Sequence, residues 1–150
     1  MKKTRILVIE DSTSIRASLV ELLRIKDYEV EAARNGIIGL ELVAEFQPDL
    51  IICDIMMPEL DGYQVLEAVR KVPKHANTPF IFLSAKADNG DVRQGMILGA
   101  DDYLTKPFKG TELFAAVEAR LARHNHTQQE VFHRLDDLMH FMGNMNEDNP

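Results

Sequence analysis

Residues 50–62 read LIICDIMMPELDG, and the rest of the chain is arranged around this stretch. Its apolar run, residues 50–53, is too continuous for a half-exposed strand and stops at the carboxylate of Asp54. The chain then turns through Pro58 and Asp61-Gly62 into a helical pattern. We therefore predict that Asp54 ends a buried strand. In open α/β sheets ligands bind at that end, because the loops diverge there and helix N-termini face the crevice, so we expect chemistry at Asp54.

Apolar, strand-like segments alternate with helical patterns along the chain. We predict strands at residues 5–9, 28–32, 50–54, 79–83 and 103–104. Helical spacing of apolar residues follows each strand, over about residues 13–26, 36–47, 61–71, 91–98 and from 110 onward. Residues 73–79 are polar and are predicted to be a linker. Five alternations of strand and helix predict an α/β fold, a mostly parallel sheet with helices on both faces.

Length, composition and charge limit the possible functions. A chain of 150 residues with 45% hydrophobic content can bury one full core with an appendage, but not two ordinary cores. It carries 17 Lys and Arg against 24 Asp and Glu, a net charge of −7. Nucleic acids and anionic lipid surfaces attract basic patches. We therefore expect no direct nucleic-acid contact and no membrane contact.

The single cysteine, Cys53, lies inside the apolar run before Asp54. It cannot form an internal disulfide, and we predict that it is a small buried hydrophobic side chain in a protein from a reducing compartment. No apolar stretch reaches membrane-spanning length. These features predict a cytoplasmic location.

Polar side chains follow four of the five predicted strands. Glu10 and Asp11 follow the first strand, Asp54 ends the third, Ser84 follows the fourth and Lys106 follows the fifth. The carboxyl ends of parallel strands share one edge of a sheet. We therefore expect these five side chains to converge on one crevice.

The residue types in this set are suited to phosphoryl chemistry. Three carboxylates drawn together repel each other unless a cation joins them, so Glu10, Asp11 and Asp54 predict a hard divalent ion, best Mg²⁺. A carboxylate beside such an ion can attack phosphorus and form an acyl phosphate. Lys106 can supply positive charge to the phosphoryl oxygens, and the Ser84 hydroxyl can supply a hydrogen bond.

The chain resembles the receiver domain of two-component response regulators over about residues 5–123. The resemblance rests on motifs that occur in the family's order: Glu10-Asp11, Asp54 followed by Met57-Pro58 and Asp61-Gly62, Ser84-Ala85, and Lys106-Pro107-Phe108. It implies a flavodoxin-like (βα)5 doubly wound parallel sheet of strand order 2-1-3-4-5, here followed by extra helix at the C-terminus.

The resemblance also implies roles for the acidic residues. Asp54 would accept a phosphoryl group from a sensor histidine kinase or a phosphotransfer protein. Mg²⁺ would be held by Glu10, Asp11, Asp54 and the backbone carbonyl of Met56. Such a protein is a switch and not an enzyme, because its only catalysis acts on itself.

By the same resemblance, Ser84 and Lys106 would bind the phosphoryl group, and the Lys106-Pro107 peptide bond would be cis. Ser84 and Tyr103 would form the switch, in which the phosphoryl group draws the Ser84 hydroxyl inward and Tyr103 enters the vacated space. The output surface would be the fourth helix, the fifth strand and the last helix. It would control a protein partner or the oligomeric state.

Two alternatives remain beside this interpretation. The first is a degenerate receiver that acts as a phosphorylation-independent binding module, although all five site residues are present. The second is a Mg²⁺-dependent phosphohydrolase of the haloacid dehalogenase type, which also uses an aspartate at a strand end. Those enzymes carry a second aspartate two residues on, where this chain has Met56.

We divide the chain into a receiver domain, residues 1–124, and a helical extension, residues 125–150. Apolar residues continue into the extension in steps of three and four, which is typical of a coiled coil. They are Phe114, Val117, Leu121, Val131, Leu135, Leu138, Met142 and Met145, with polar His124 and Gln128 between them. The pattern predicts one long helix, or a helix broken near Asn125, with a frayed end.

The extension could form a homodimer seam, pack back on the receiver surface, or lead to an output domain. Receivers that dimerise through the fourth-helix to fifth-helix face commonly carry a basic residue four places after the position of Glu112, where this chain has Ala116. That departure favours the terminal helix over this face as the element of a possible homodimer.

Overall fold

The stretch quoted above contains the central strand of a five-stranded sheet. The computed structural model describes residues 2–85 and 89–147. Its strands are β1 (Arg5–Ile9), β2 (Glu29–Ala33), β3 (Leu50–Asp54), β4 (Phe80–Ser84) and β5 (Asp102–Thr105). All neighbours pair in parallel, in the order β2-β1-β3-β4-β5. The predicted fold class and strand order are confirmed.

A helix follows each strand. The helices are α1 (Thr13–Ile25), α2 (Gly36–Phe46), α3 (Gly62–Arg70), α4 (Asn89–Ile97) and α5 (Gly110–Glu147), with a short 3₁₀ turn at Pro73–His75. The predicted linker at 73–79 therefore contains a turn, and His75 within it is buried. The break considered near Asn125 does not occur, because α5 runs on as one helix of 38 residues.

The sheet is buried on both faces, which explains the continuous apolar runs of its inner strands. Successive side chains of a strand point to opposite faces, so the inner strands β1, β3 and β4 supply two cores. One core joins the sheet to α2 and α3 and contains Leu7, Ile9, Ile51, Cys53, Phe80, Phe82, Val43, Phe46, Val65 and Leu66. The other joins it to α1 and α5 and contains Ile6, Val8, Leu50, Ile52, Ile81, Leu83, Leu19, Leu23, Leu113 and Val117.

The turn after β3 is fixed by local chemistry. Asp61 caps α3 by accepting from the Gln64 backbone N–H, and the Gln64 side chain accepts from the Asp61 backbone N–H in return. Gly62 follows the cap, and its backbone N–H donates to the carbonyl of Ile55 at 2.9 Å. A Cβ at Gly62 would run into the backbone carbonyl of Asp54. The glycine thus lets α3 begin directly beside the end of β3.

Within the described residues, no helix combines the length and the apolar character that a membrane span requires.

Candidate functional site

The carboxyl ends of four strands lie side by side at one edge of the sheet. The strand register pairs Ile9 with Cys53, Asp54 with Leu83, and Ser84 with Thr105. The residues that follow or end these strands therefore share one small region, as the sequence pattern predicts.

Three carboxylates meet at this edge. One carboxylate oxygen from each of Glu10, Asp11 and Asp54 lies within 4.8 Å of the other two. Glu10 and Asp54 are buried, whereas Asp11 is exposed and opens the cluster to solvent. Ser12, and not Asp11, caps α1 by accepting from the backbone N–H of Ile15. The Asp11 carboxylate is therefore not used as a helix cap.

Lys106 reaches the same cluster from the loop after β5. Its Nζ donates to Glu10 Oε1 at 2.9 Å and to Asp54 Oδ2 at 3.1 Å. Its backbone N–H donates to the carbonyl of Ser84, which ties the loop to the end of β4. The Lys106-Pro107 peptide bond is cis. Burial lowers the pKa of Lys106, but its bonds to Glu10 and Asp54 outweigh burial and raise it above its ordinary value.

Glu10 is the most deeply buried acid of the cluster. Its Oε2 is buried and has no hydrogen-bond partner among the described residues. Burial raises the pKa of the Glu10 carboxyl to about 7, and Asp54 adds to the rise while the Lys106 ammonium opposes it. A buried carboxylate oxygen without a partner, beside two further acids, fits a hard cation with oxygen ligands such as Mg²⁺.

Asp54 is held at both carboxylate oxygens. Oδ1 accepts from the backbone N–H of Met56 at 3.3 Å, and Oδ2 accepts from Lys106. The Met56 side chain, two residues after Asp54, is 74% exposed. The role of the Met56 carbonyl as a metal ligand stays a prediction.

Ser84 and Tyr103 lie on neighbouring strands. Ser84 is the buried last residue of β4, while Tyr103 lies on β5, pairs in register with Phe82 and is 37% exposed. The two residues thus lie on paired strands, two register positions apart. Their coupled movement stays a prediction.

Arg16 is a contributor that the sequence patterns do not single out. From α1 its guanidinium donates to the backbone carbonyls of Glu10 and Asp11, at 2.8 and 3.3 Å. It thereby fixes the loop that carries both acids. A single basic residue on an amphipathic helix has no distinctive sequence signal, so only the structure reveals this contact.

The fold and this edge define a class: doubly wound α/β proteins with an acidic pocket and a partly buried lysine at the carboxyl ends of the strands. A sequence model of the response regulator receiver domain matches residues 6–118. The chain therefore belongs to the response regulator receiver domain family.

Named relatives and solved structures agree with this assignment. The chain is 40% identical to the DNA-binding dual master transcriptional regulator RpaA of Synechocystis, over 86% of this chain and 54% of that protein. It is 37% identical to the DNA-binding response regulator MtrA of Mycobacterium leprae, over 86% of this chain and 56% of that protein. The structure of the chemotaxis protein CheY4 of Vibrio cholerae superposes with a TM-score of 0.76 at 30% identity, covering 79% of this chain and 98% of that one. The chain spans about half the length of the curated relatives it matches.

The prediction of no direct nucleic-acid contact is wrong, because relatives at this level of identity are named DNA-binding regulators. It rested on the net charge of −7. A charge sum describes only the residues that it counts, and in these relatives about half of the protein lies outside the match. An acidic receiver surface is therefore compatible with membership of a DNA-binding protein class.

Proposed function

We propose that this chain is a phosphorylation-controlled switch in two-component signalling, with Asp54 as the phosphoacceptor. The supporting observation is the contact of one partly buried ammonium, Lys106, with both Glu10 and Asp54 inside an acidic cluster. The donor would be a sensor histidine kinase or a phosphotransfer protein. Glu10, Asp11, Asp54 and the backbone carbonyl of Met56 would hold Mg²⁺.

The chemistry follows from this arrangement. An oxygen of the Asp54 carboxylate forms a bond to phosphorus as the bond from phosphorus to the donor's leaving group breaks, which gives an acyl phosphate. Bound Mg²⁺ would supply positive charge to the phosphoryl oxygens. The Lys106 ammonium, freed from one carboxylate oxygen, pairs with a phosphoryl oxygen, and the Ser84 hydroxyl donates a further hydrogen bond. Attack of water on phosphorus then breaks the bond to the Asp54 oxygen, which releases inorganic phosphate and restores the carboxylate.

The signal would leave the site through β4 and β5. In our proposal Ser84 turns toward the phosphoryl group, Tyr103 rotates inward, and α4 repacks on the sheet. Phe82, two residues before Ser84, lies directly under Gly95 of α4, which supports a mechanical route from the site to this helix. Control of a DNA-binding regulator, the class for which the relatives are named, is the output that we infer for this surface.

A groove next to Lys106 suits the approach of a kinase or phosphotransfer partner. It lies between α1 and the loop after β5 and exposes mainly apolar surface. Its lining consists of Ser14, Ile15, Ser18, Leu22, Lys106, Pro107 and Phe108. A helix seated in this groove would bring a phosphohistidine toward the edge that carries Asp54, because Lys106 contributes to both the groove and the acidic cluster.

The two alternatives have less support. A phosphohydrolase of the dehalogenase type needs a second acid two residues after Asp54, and the exposed Met56 side chain occupies that position. A degenerate binding module has no need of a buried acid pair bridged by a lysine. Burial of such charges costs stability unless they are paired and hydrogen-bonded, so their retention favours a chemical role.

The decisive experiment is phosphorylation of the purified chain by acetyl phosphate with and without Mg²⁺. We expect a Mg²⁺-dependent phosphoryl adduct in the intact mass, and its loss in Asp54→Ala. The matched control is Asp137→Ala, which removes an exposed aspartate far along α5 and should keep the adduct. A wild-type chain that gains no adduct, or an Asp54→Ala chain that keeps it, would overturn the proposal.

A further inference from the structure

The last turns of α5 carry an uncovered apolar stripe. From residue 125 to residue 143 every side chain is exposed. Seven large apolar side chains in this segment are each more than half exposed: Val131, Phe132, Leu135, Leu138, Met139, Phe141 and Met142. We call these seven side chains the extension face. None of the described residues of the receiver domain covers it.

The size of the extension face matches an interface between two proteins. At roughly 100 Å² of exposed surface for each large apolar side chain, seven of them present about 700 Å². The largest apolar patch on a typical monomer is about 300–600 Å², whereas a standard protein interface buries about 800 Å² on each partner. Most of the stability of a helix comes from packing of its apolar face, so this segment needs a partner to cover it.

The spacing within the face identifies a helix as that partner. Val131, Leu135, Leu138 and Met142 follow steps of four, three and four, which places them along the seam of a coiled coil. Phe132 and Met139 each lie one position beyond a seam residue and widen one flank. Such a seam is self-complementary, because each side chain can insert between four residues of a second copy.

We propose that residues 125–147 form a parallel two-stranded coiled coil with a second copy of this chain. The polar residues at the start of the stripe indicate the parallel direction. His124 and Gln128 continue the seam toward the receiver and hydrogen-bond to each other at 3.0 Å. In a parallel, in-register pair these polar residues meet their own copies. An antiparallel pair centred on Leu135 would bury Gln128 against Met142, at a cost in stability.

The charges of the segment disfavour other occupants. Glu130, Asp136 and Asp137 face away from the seam, and Arg134 is the one Lys or Arg between residues 125 and 147. Helices that lie on a membrane surface are rich in Lys and Arg, so an anionic lipid surface is a poor match.

The mass of the full chain in solution tests the proposal. We expect sedimentation to give twice 17.0 kDa for the unphosphorylated protein. The double variant Leu135→Asp with Leu138→Asp should be monomeric, because it places four carboxylates in the seam of the pair. The matched control, Gln129→Asp with His133→Asp, adds the same charge on the outer side of the helix and should remain dimeric. A monomeric wild type, a larger oligomer, or a dimer that survives the seam variant would overturn the proposal.

Cysteine cross-linking tests the direction and register of the pair. Cys53 is buried and is the one cysteine of the chain, so a newly introduced thiol gives its own signal. Leu138→Cys should form a disulfide-linked dimer on mild oxidation, and His133→Cys, on the outer side of the helix, should not. Equal cross-linking at both positions would contradict a coiled coil with this seam.

This inference is independent of the proposed phosphoacceptor role. Asp54 ends β3 at the carboxyl edge of the sheet, whereas His124, Asn125 and Gln128 of α5 line a cleft with residues 2–5 at the amino end of β1. Asp54→Ala should therefore remain dimeric by sedimentation. Failure of the coiled coil would therefore leave the adduct at Asp54 intact, and failure of the adduct would leave the dimer intact.

Discussion

At the scale of single residues, Glu10 is buried with only part of its hydrogen-bonding capacity satisfied. One of its carboxylate oxygens pairs with Lys106, and the other is buried without a partner among the described residues. Leaving such a group unsatisfied costs about 1–3 kcal/mol, more when it is charged. A bound divalent ion would satisfy it, and this gives the acidic cluster a test that does not depend on phosphorylation.

We predict that Mg²⁺ raises the free energy of unfolding of the wild-type chain. A ligand that binds only the folded state at 100 times its Kd adds about 2.7 kcal/mol. In Glu10→Gln the increment should be smaller, because the neutral amide is a weaker ligand for a hard cation. Urea denaturation at pH 8 with and without Mg²⁺ measures both values. The exposed acid variant Glu130→Gln should respond like the wild type, and an equal response of Glu10→Gln would refute a ligand role for Glu10.

His75 is a second buried polar residue, remote from the acidic cluster. It is 3% exposed, its Nδ1 hydrogen-bonds Thr78 Oγ1 at 2.8 Å, and its Nε2 has no partner among the described residues. Burial lowers the pKa of His75, and the neighbouring Lys74 lowers it further. Over the pH range between the folded and the unfolded pKa, the imidazole is therefore neutral in the folded chain and protonated in the unfolded chain.

The sign of the resulting pH dependence is fixed by linkage. As the pH falls below about 6.5, the unfolded chain protonates the histidine while the folded chain does not. Proton binding then favours the unfolded state, so the free energy of unfolding decreases. We predict that urea midpoints of the wild type fall more steeply between pH 7 and pH 5 than those of His75→Asn. Thr78→Val keeps the buried imidazole and should keep the steeper dependence. Identical slopes for the wild type and His75→Asn would exclude this titration as a contributor.

At the scale of elements, α4 approaches the sheet closely at Gly95. A Cβ at Gly95 would lie 2.8 Å from the Phe82 ring, closer than such atoms normally approach. At its C-terminal end, Arg70 of α3 donates to the Gly99 carbonyl at 2.9 Å and to Asp101 at 3.2 Å. The helix can thus lie close to the sheet because Gly95 has no side chain. Just beyond its C-terminal end, hydrogen bonds from Arg70 connect the chain to α3.

We predict that Gly95→Ala destabilises the receiver although alanine is the better helix former. Alanine gains about 1 kcal/mol of intrinsic helix propensity over glycine, while forcing a methyl group into a packed core costs about 1–3 kcal/mol. Gly143→Ala offers a matched comparison in α5, because nothing lies within 4 Å of its added Cβ. Urea denaturation should show a loss for Gly95→Ala and none for Gly143→Ala. A stabilised Gly95→Ala would mean that α4 moves away from Phe82 at little cost.

The elements that the sequence predicts well are those with strong, regular patterns. β3 and β4 are buried along their whole length, and their unbroken apolar runs correctly indicate central strands. The 3₁₀ turn at Pro73–His75 is missed, because three residues in a polar segment carry no periodic signal. The buried position of His75 follows from contacts with distant elements, which no local pattern reports.

At the scale of the whole molecule, the sequence predicts that the side chains of the site converge, because parallel strands all end at one edge. Glu10, Asp54 and Lys106 are far apart in the chain, yet the strand order brings them into contact. The contact of Arg16 with the acidic loop depends on how α1 packs, so it is found only in three dimensions. The prediction of no direct nucleic-acid contact was wrong for a reason at the same scale. The net charge of −7 describes these 150 residues, whereas about half of each DNA-binding relative lies outside the match.

The boundary near His124 gives the last prediction. Leu113 and Val117 of α5 are fully buried in the receiver core, whereas every side chain from residue 125 to residue 143 is exposed. A chain ending at His124 should therefore unfold in urea with the same midpoint as the seam variant Leu135→Asp with Leu138→Asp. It should also accept the phosphoryl group at Asp54, but sediment as a monomer. A truncated chain less stable than the seam variant by more than about 1 kcal/mol, beyond the usual effect of a surface change, would show that the extension belongs to the receiver fold.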